Sequence, residues 1–294
     1  MNNNNNSNKT IGVVGLGFVG GSIKTVLREK NINVLSYDKY KESEPLRAFS
    51  IEDLCARTRL IFVCVPTPMQ DTGECDTSIV EEVISEINET NNSNIVIIKS
   101  TVPPGTTEYF NSKYTNTQIV FSPEFLRERT AIEDVRNQTR IIIGGPRQAA
   151  TIVKVFMNKV FPNATVIKTN STIAEMVKYM TNCFLATKLS FANEMYQICD
   201  KLDIDYDRVL ECLLHDERFG KSHWQVPSLE TDEDGYPLAG WSLSCFPKDL
   251  NALMYTAKQL GVDPKVMRAA WEKNLEVRPQ RDWEKDERVK RSKK

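Results

Sequence analysis

Thr10-Ile11-Gly12-Val13-Val14-Gly15-Leu16-Gly17-Phe18-Val19-Gly20 reads as a β-branched strand that runs into a glycine-rich turn and opens a helix. In that context each glycine has a task. Gly15 permits a tight turn, Gly17 lets backbone N–H groups approach a pyrophosphate, and Gly20 lets helix and strand pack closely, with phosphates at the positive helix end. Asp38 follows Gly15 by 23 residues and closes the second predicted strand. Its carboxylate can accept from ribose hydroxyls and repel a 2′-phosphate, which favours NAD over NADP. The competing reading is a glycine-rich turn with no ligand.

Working outward, short apolar or β-branched runs bounded by turn residues predict strands over Thr10–Val14, Asn33–Tyr37, Leu60–Val65, Ile95–Lys99, Gln118–Phe121, Arg140–Ile143 and Thr165–Ile167. Helical patterns lie between several of them, at Gly20–Glu29, Thr77–Thr90 and Arg147–Val160. This alternation predicts an α/β fold with a Rossmann-like, doubly wound, mainly parallel sheet over residues 9–168. From Ser171 the texture changes. Ile173, Met176, Val177, Met180, Phe184 and Leu185 recur at helical spacing, and the pattern continues to Asp200. Helices over Tyr206–Leu214, Lys248–Leu260 and Pro264–Asn274, with an irregular stretch over Phe219–Trp241, complete an all-α region expected at 169–276. Residues 1–8, rich in Asn, read as a disordered leader. Residues 277–294 read as a basic, solvated tail, the last 17 carrying eight Lys or Arg against four Asp or Glu.

The 294 residues suffice for about two domains and a sizeable core. Apolar residues are 40% and charged residues 26% of the chain, which excludes collagen-like and wholly disordered classes. A net charge of −1 gives no global field toward nucleic acid or an anionic membrane. No apolar run nears the roughly 18 residues of a membrane span. The leader has no basic n-region or apolar h-region, so a cytoplasmic location is expected. Seven scattered Cys without a CxxC pair argue against disulfides and a thiolate zinc site, and two His leave little for an imidazole site; no metal is expected.

Lys178 and Asn182 lie one turn apart on the long helix, opposite the Met176, Met180 and Phe184 stripe. A cation beside an amide can polarise a hydroxyl and hold an oxyanion; the alternative is solvated surface. Glu124 and Glu128 follow the fifth strand, where a parallel sheet presents its loops to a ligand; they can orient water or form a charge pair at a helix start. Cys245 precedes Phe246-Pro247-Lys248-Asp249 at a predicted helix start, where dipole and lysine favour a thiolate, and Asp249 returns to the same face. On spacing alone Cys245 is a nucleophile or a buried structural cysteine.

Taken in order, these pieces resemble the UDP-glucose/GDP-mannose dehydrogenase family over nearly the whole chain. The resemblance is carried by Gly15 to Gly20, Val65-Pro66-Thr67-Pro68, Lys99-Ser100-Thr101-Val102-Pro103-Pro104-Gly105, Ser122-Pro123-Glu124-Phe125-Leu126-Arg127-Glu128, the Lys178/Asn182 pair, and Cys245-Phe246-Pro247-Lys248-Asp249. It implies a four-electron oxidation of a sugar C6 alcohol, UDP-glucose foremost, to the uronic acid with two NAD. Cys245 would be the nucleophile, and Lys178, Asn182, Asp249, Glu124, Glu128 and Thr101 would share the proton and water steps. Gly15, Gly17, Phe18, Val19, Gly20, Asp38, Thr67, Thr101, Glu128 and Lys248 would contact NAD. Glu124, Phe125, Leu126, Lys178, Asn182, Arg218 and Gly240 would contact substrate. The long helix resembles the family's dimerisation helix, and Arg218 resembles an arginine that completes the neighbouring subunit's site in a homodimer.

Two features depart from the family pattern. Gly240-Trp241-Ser242-Leu243-Ser244 stands where members carry Gly-Phe-Gly-Gly before the residue preceding the cysteine, and the third, nucleotide-binding α/β domain of longer members is absent from this sequence. The ending, with Val277-Arg278-Pro279 and Asp282-Trp283-Glu284, resembles shorter members and suggests a compact natural form. A β-hydroxyacid dehydrogenase combines a similar fold and Lys/Asn pair but performs one oxidation and needs no Cys. A catalytically silent NAD-binding dimer is the third reading.

Overall fold

Seven strands form one sheet: β1 (Thr10–Val14), β2 (Asn33–Tyr37), β3 (Leu60–Val63), β4 (Ile95–Ile98), β5 (Gln118–Phe121), β6 (Arg140–Gly144) and β7 (Thr165–Thr169), in the order β2-β1-β3-β4-β5-β6-β7. All neighbours are parallel except β5 and β6, which meet antiparallel at Phe121 and Gly144. This is the expected doubly wound topology. The order switches between β1 and β3, so the crevice beyond their carboxyl ends is where such a sheet takes a ligand. The computed structural model describes residues 10–41, 47–228, 230–232, 234–242, 245–286 and 289. The expected leader and the Leu243-Ser244 departure lie outside the described residues.

Alternation along the strands explains why the sheet is buried on both faces. Ile11, Val13, Phe62, Ile97, Val120 and Ile143 join a core with α1 (Phe18–Glu29) and α6 (Arg147–Val160). Val14, Ile61, Val63, Ile98 and Phe121 point the other way, toward α2 (Ile51–Arg57), α3 (Ser78–Glu89) and α4 (Thr106–Lys113). Helices α2, α4 and α5 (Ala131–Arg136) were not predicted: none exceeds eight residues, too short for a strong 3.6-residue signal.

The chain divides into two units, one of residues 1–67 and 76–178, the other of 68–75 and 179–294. The division falls within α7 (Ser171–Lys201), the long helix expected from Ser171. The second unit adds α8 (Tyr206–Leu213), α9 (Phe246–Gln259) and α10 (Lys265–Val277). Cys183, Ala186, Trp241, Phe246, Leu250 and Met254 form its main core. Within the segment expected as a solvated tail, Arg278, Trp283 and Val289 are buried, since Arg278 pairs with Glu230 and Asp282 and Trp283 packs on Trp271. Among the described residues no helix is long and apolar enough to cross a membrane.

Candidate active site

The turn after β1 is shaped first by the protein itself. Gly15 has φ +84°, and a Cβ there would lie 2.8 Å from the Cys64 carbonyl oxygen; at Gly20 it would lie 1.9 Å from the Gly15 carbonyl oxygen. Gly17 differs. A Cβ there would meet nothing within 4 Å, so no protein contact demands a glycine at the N-cap of α1. That cap has no side-chain hydrogen bond, and the helix has no acidic residue in its first turn. An open backbone surface at a positive helix end fits a pyrophosphate. Asp38 directly follows β2. Its Oδ2 accepts from Leu16 N at 2.6 Å and its Oδ1 from Tyr40 N, which fixes the carboxylate against the glycine turn. Phe18 is half exposed, whereas Thr67 is buried.

Loops after β4 and β5 carry the other candidates of the first unit. Thr101 lies three residues beyond the end of β4, and its neighbour Ser100 donates through Oγ to Val65 O at 2.6 Å. After β5, Glu124 is nearly buried, with Oε2 3.2 Å from Lys99 Nζ and Oε1 accepting from Phe125 N. Lys99 also donates to Pro123 O. Lys178 Nζ donates to Glu124 O at 2.5 Å and lies over the Phe125 ring. Lys99, Glu124 and Lys178 therefore form one polar cluster. Leu126 packs against the sheet core. Arg127 binds Asp134 in a fork through Nε and Nη2, before the short 3₁₀ turn of Glu128–Thr130.

In the second unit, Cys245 is the half-buried N-cap residue of α9, with proline in the first turn and Asp249 N donating to its carbonyl. Asp249 is 1% exposed. Its Oδ1 accepts from Lys248 Nζ at 2.5 Å and its Oδ2 from Asn182 Nδ2 at 2.6 Å. Burial pulls the Lys248 ammonium down, but Asp249 and then the nearby Cys245 and Cys75 outweigh it and hold its pKa above the ordinary lysine value. Elsewhere burial pushes the thiols of Cys55 and Cys64 up to about 11 and about 12, so these are inert neutral groups.

Gly240 and Trp241 are tied down by amides. Gly240 N donates to Asn193 Oδ1, while Asn274 both accepts from Trp241 N and donates to Trp241 O. Ser242, standing where the family pattern has glycine, is buried and hydrogen-bonds Asp282. Arg218 is exposed and pairs with Asp216 two residues away.

Helix α7 reverses the usual amphipathic arrangement. Ser171, Glu175, Lys178 and Asn182 are buried, whereas Ile173, Met176, Met180 and Phe184 are 42–66% exposed. The solvated alternative for Lys178 and Asn182 is thereby excluded. Glu175 was missed, although its spacing of three and seven residues from Lys178 and Asn182 puts it on their face. Lys99 has no role in the sequence reading, although a lysine directly after an apolar, buried strand is a signal of its own.

A Rossmann-type sheet with an open glycine turn and an adjacent carboxylate defines a dinucleotide-binding protein. The chain belongs to the UDP-glucose/GDP-mannose dehydrogenase family. The model for that family's NAD binding domain matches residues 37–165, and the model for its central domain matches residues 172–276. NAD is accordingly the cofactor, and the glycine turn and Asp38 fit it.

The UDP-glucose 6-dehydrogenase TuaD of Bacillus subtilis is 36% identical over 74% of this chain and 47% of its own length. The UDP-glucose 6-dehydrogenase AglM of Haloferax volcanii is 31% identical over 90% of this chain and 69% of its own. This chain thus spans about half the length of the curated relatives it matches, and two thirds of AglM. A UDP-glucose dehydrogenase structure from Pyrobaculum islandicum superposes with a TM-score of 0.80 at 28% identity, covering 94% of this chain and 70% of that one. The 3-hydroxyisobutyrate dehydrogenase of Mycobacterium tuberculosis shares the fold alone, with a TM-score of 0.68 at 15% identity over 90% of this chain and 92% of its own.

Proposed function

We propose that this protein oxidises the C6 alcohol of a nucleotide sugar to the carboxylate, with UDP-glucose as substrate and UDP-glucuronate as product, through a covalent intermediate on Cys245. The observation that carries this reading is Cys245 at the start of α9, followed within four residues by the buried Lys248–Asp249–Asn182 network. A single alcohol oxidation has no use for that cysteine.

The residues divide the work. Lys178 and Asn182 present N–H donors to the substrate oxygen and stabilise its negative charge as the hydroxyl proton passes, by way of a water, to Asp249. The glycine turn and Asp38 would hold NAD, which would supply the hydride acceptor, two equivalents accounting for four electrons. Cys245 Sγ then bonds to the aldehyde carbon while the aldehyde oxygen takes a proton, giving a thiohemiacetal. Loss of a second hydride and the hydroxyl proton leaves a thioester. Water adds to that carbonyl, oriented by Glu124, Glu128 or Thr101, and the carbon–sulfur bond breaks to release the acid and return the thiol. Glu124 is suited to orienting water because Lys99 fixes its carboxylate.

In the same proposal, residues 9–168 hold NAD, 169–276 carry the nucleophile and the dimer contact, 277–294 follow as the C-terminal segment, and the protein is a cytoplasmic homodimer. Its exposed α7 stripe and its cysteines, none in a disulfide, support those two statements.

NADH release against UDP-glucose, GDP-mannose and UDP-N-acetylmannosamine tests the reading. Wild type should yield two NADH per UDP-glucose. Cys245→Ala should lose net turnover, and Cys245→Ser should accumulate a sugar adduct visible by intact mass. Uronate formed by Cys245→Ala at the wild-type rate and stoichiometry would overturn the covalent mechanism.

A further inference from the structure

Glu175 is fully buried in the first half of α7 and has no role in the chemistry above. Its Oε2 accepts from Gly105 N at 2.6 Å and its Oε1 from Thr107 N at 2.9 Å. Gly105 is the N-cap of α4, takes φ +96° and carries no side chain that could cap the helix. The cap therefore comes from a residue about 70 positions along the chain. Three residues further along α7, Lys178 holds the carbonyl of Glu124 in the loop after β5. One helix face thus pins both loops that carry Thr101 and Glu124, and all of these residues lie within the first unit.

We infer that Glu175 is a positioning residue: its two-point grip on Gly105 and Thr107 holds the Thr101–Gly105 loop in its working conformation, and the grip is complete only when the carboxyl is ionised. An ionised carboxylate presents an acceptor to each N–H. A protonated one turns one oxygen into a donor, which faces an N–H and loses that bond. Burial raises the Glu175 pKa, Glu108 in the first turn of α4 adds to the rise, and the bonds from Thr107 and Gly105 oppose it, leaving it at about 7. The other charges nearby are committed elsewhere, Lys178 to the Glu124 carbonyl and Lys99 to the Glu124 carboxylate. The segment from Ser100 to Gly105 contains no charged residue. The grip therefore tightens as pH rises through neutrality.

The use of this loop in NAD-linked chemistry rests on the function proposed above, so the deciding measurement does not require turnover. Amide hydrogen exchange of peptides spanning 101–108, corrected for the intrinsic base-catalysed rate, should show protection rising about tenfold between about pH 6 and about pH 8, as a carboxyl of pKa about 7 passes from mostly protonated to mostly ionised. Glu175→Gln, an isostere of the protonated acid, should hold protection at the low-pH level throughout and leave the sheet peptides unchanged. NAD titrated by protein fluorescence should bind several-fold more weakly to Glu175→Gln at about pH 8 and with equal strength to both proteins at about pH 6. Flat wild-type protection across this range, or a Glu175→Gln protein that follows the wild-type curve, would overturn the inference. If no nucleotide sugar is oxidised and the exchange pattern is still as expected, the functional reading fails and the role of Glu175 stands.

Discussion

Asn182 Nδ2 donates to Asp249 Oδ2 at 2.6 Å, a bond between α7 and α9 in which both side chains are at least nine-tenths buried. The other oxygen of Asp249 belongs to Lys248, so the carboxylate is satisfied from two sides. Asn182→Ala should leave Asp249 short of a partner and cost about 1–3 kcal/mol in denaturant unfolding. Asn182→Asp should cost more, because it sets a second buried carboxylate against the first. Equal losses for the two would mean that the amide contributes only volume. Both variants should lose at least about 100-fold in kcat.

Asp38 has two roles that one substitution mixes. Its carboxylate braces the glycine turn through Leu16 N, and in the proposed cofactor site its charge would repel a 2′-phosphate. Asp38→Asn keeps an acceptor without the charge, so it should narrow the preference for NAD over NADP with a small loss of stability. Asp38→Ala should lose both. Comparable kcat/KM for the two cofactors in wild type would sink the charge argument.

The exposed stripe of Ile173, Met176, Met180 and Phe184 is large for a surface that stays in water. We expect a homodimer by light scattering at micromolar concentration, converted to monomer by Phe184→Asp. A wild-type monomer with full activity would contradict the interface, and with it the role of Arg218.

Asp134 grips the loop after β5 through Arg127 and Thr130, and the Arg127 hydrogen bond, opposed by burial, pulls its pKa down to about 2. The ordinary value is 3.8, so the folded state binds this proton less readily than the unfolded chain. Stability from the pair is therefore full above about pH 4 and falls as pH drops through about 2. Asp134→Asn should remove that part of the acid dependence while lowering stability at neutral pH, as read from urea midpoints. An unchanged acid limb would count against it.

The inner strands were readable one by one because a strand buried on both faces is a run of apolar, β-branched residues, a property of adjacent positions, and the largely exposed edge strand β7 because Thr165, Val166 and Ile167 are β-branched. Gly15, Gly20 and Asp38 were readable for a similar reason: the turn and the end of β2 impose local demands that few residues meet. Helix α4 was not, since Thr106-Thr107-Glu108-Tyr109-Phe110-Asn111-Ser112-Lys113 has weak helical preference. Its cap is supplied by Glu175 from far along the chain. The face of α7 that is buried was equally hidden. Hydrophobicity favours covering Met176, Met180 and Phe184, yet the chain covers Glu175, Lys178 and Asn182. Each of these polar groups finds its partner on a different element: Gly105 and Thr107, Glu124, and Asp249. Burying a polar side chain is tolerable only when such partners are in place, and partners distant in sequence become neighbours only when the chain is folded.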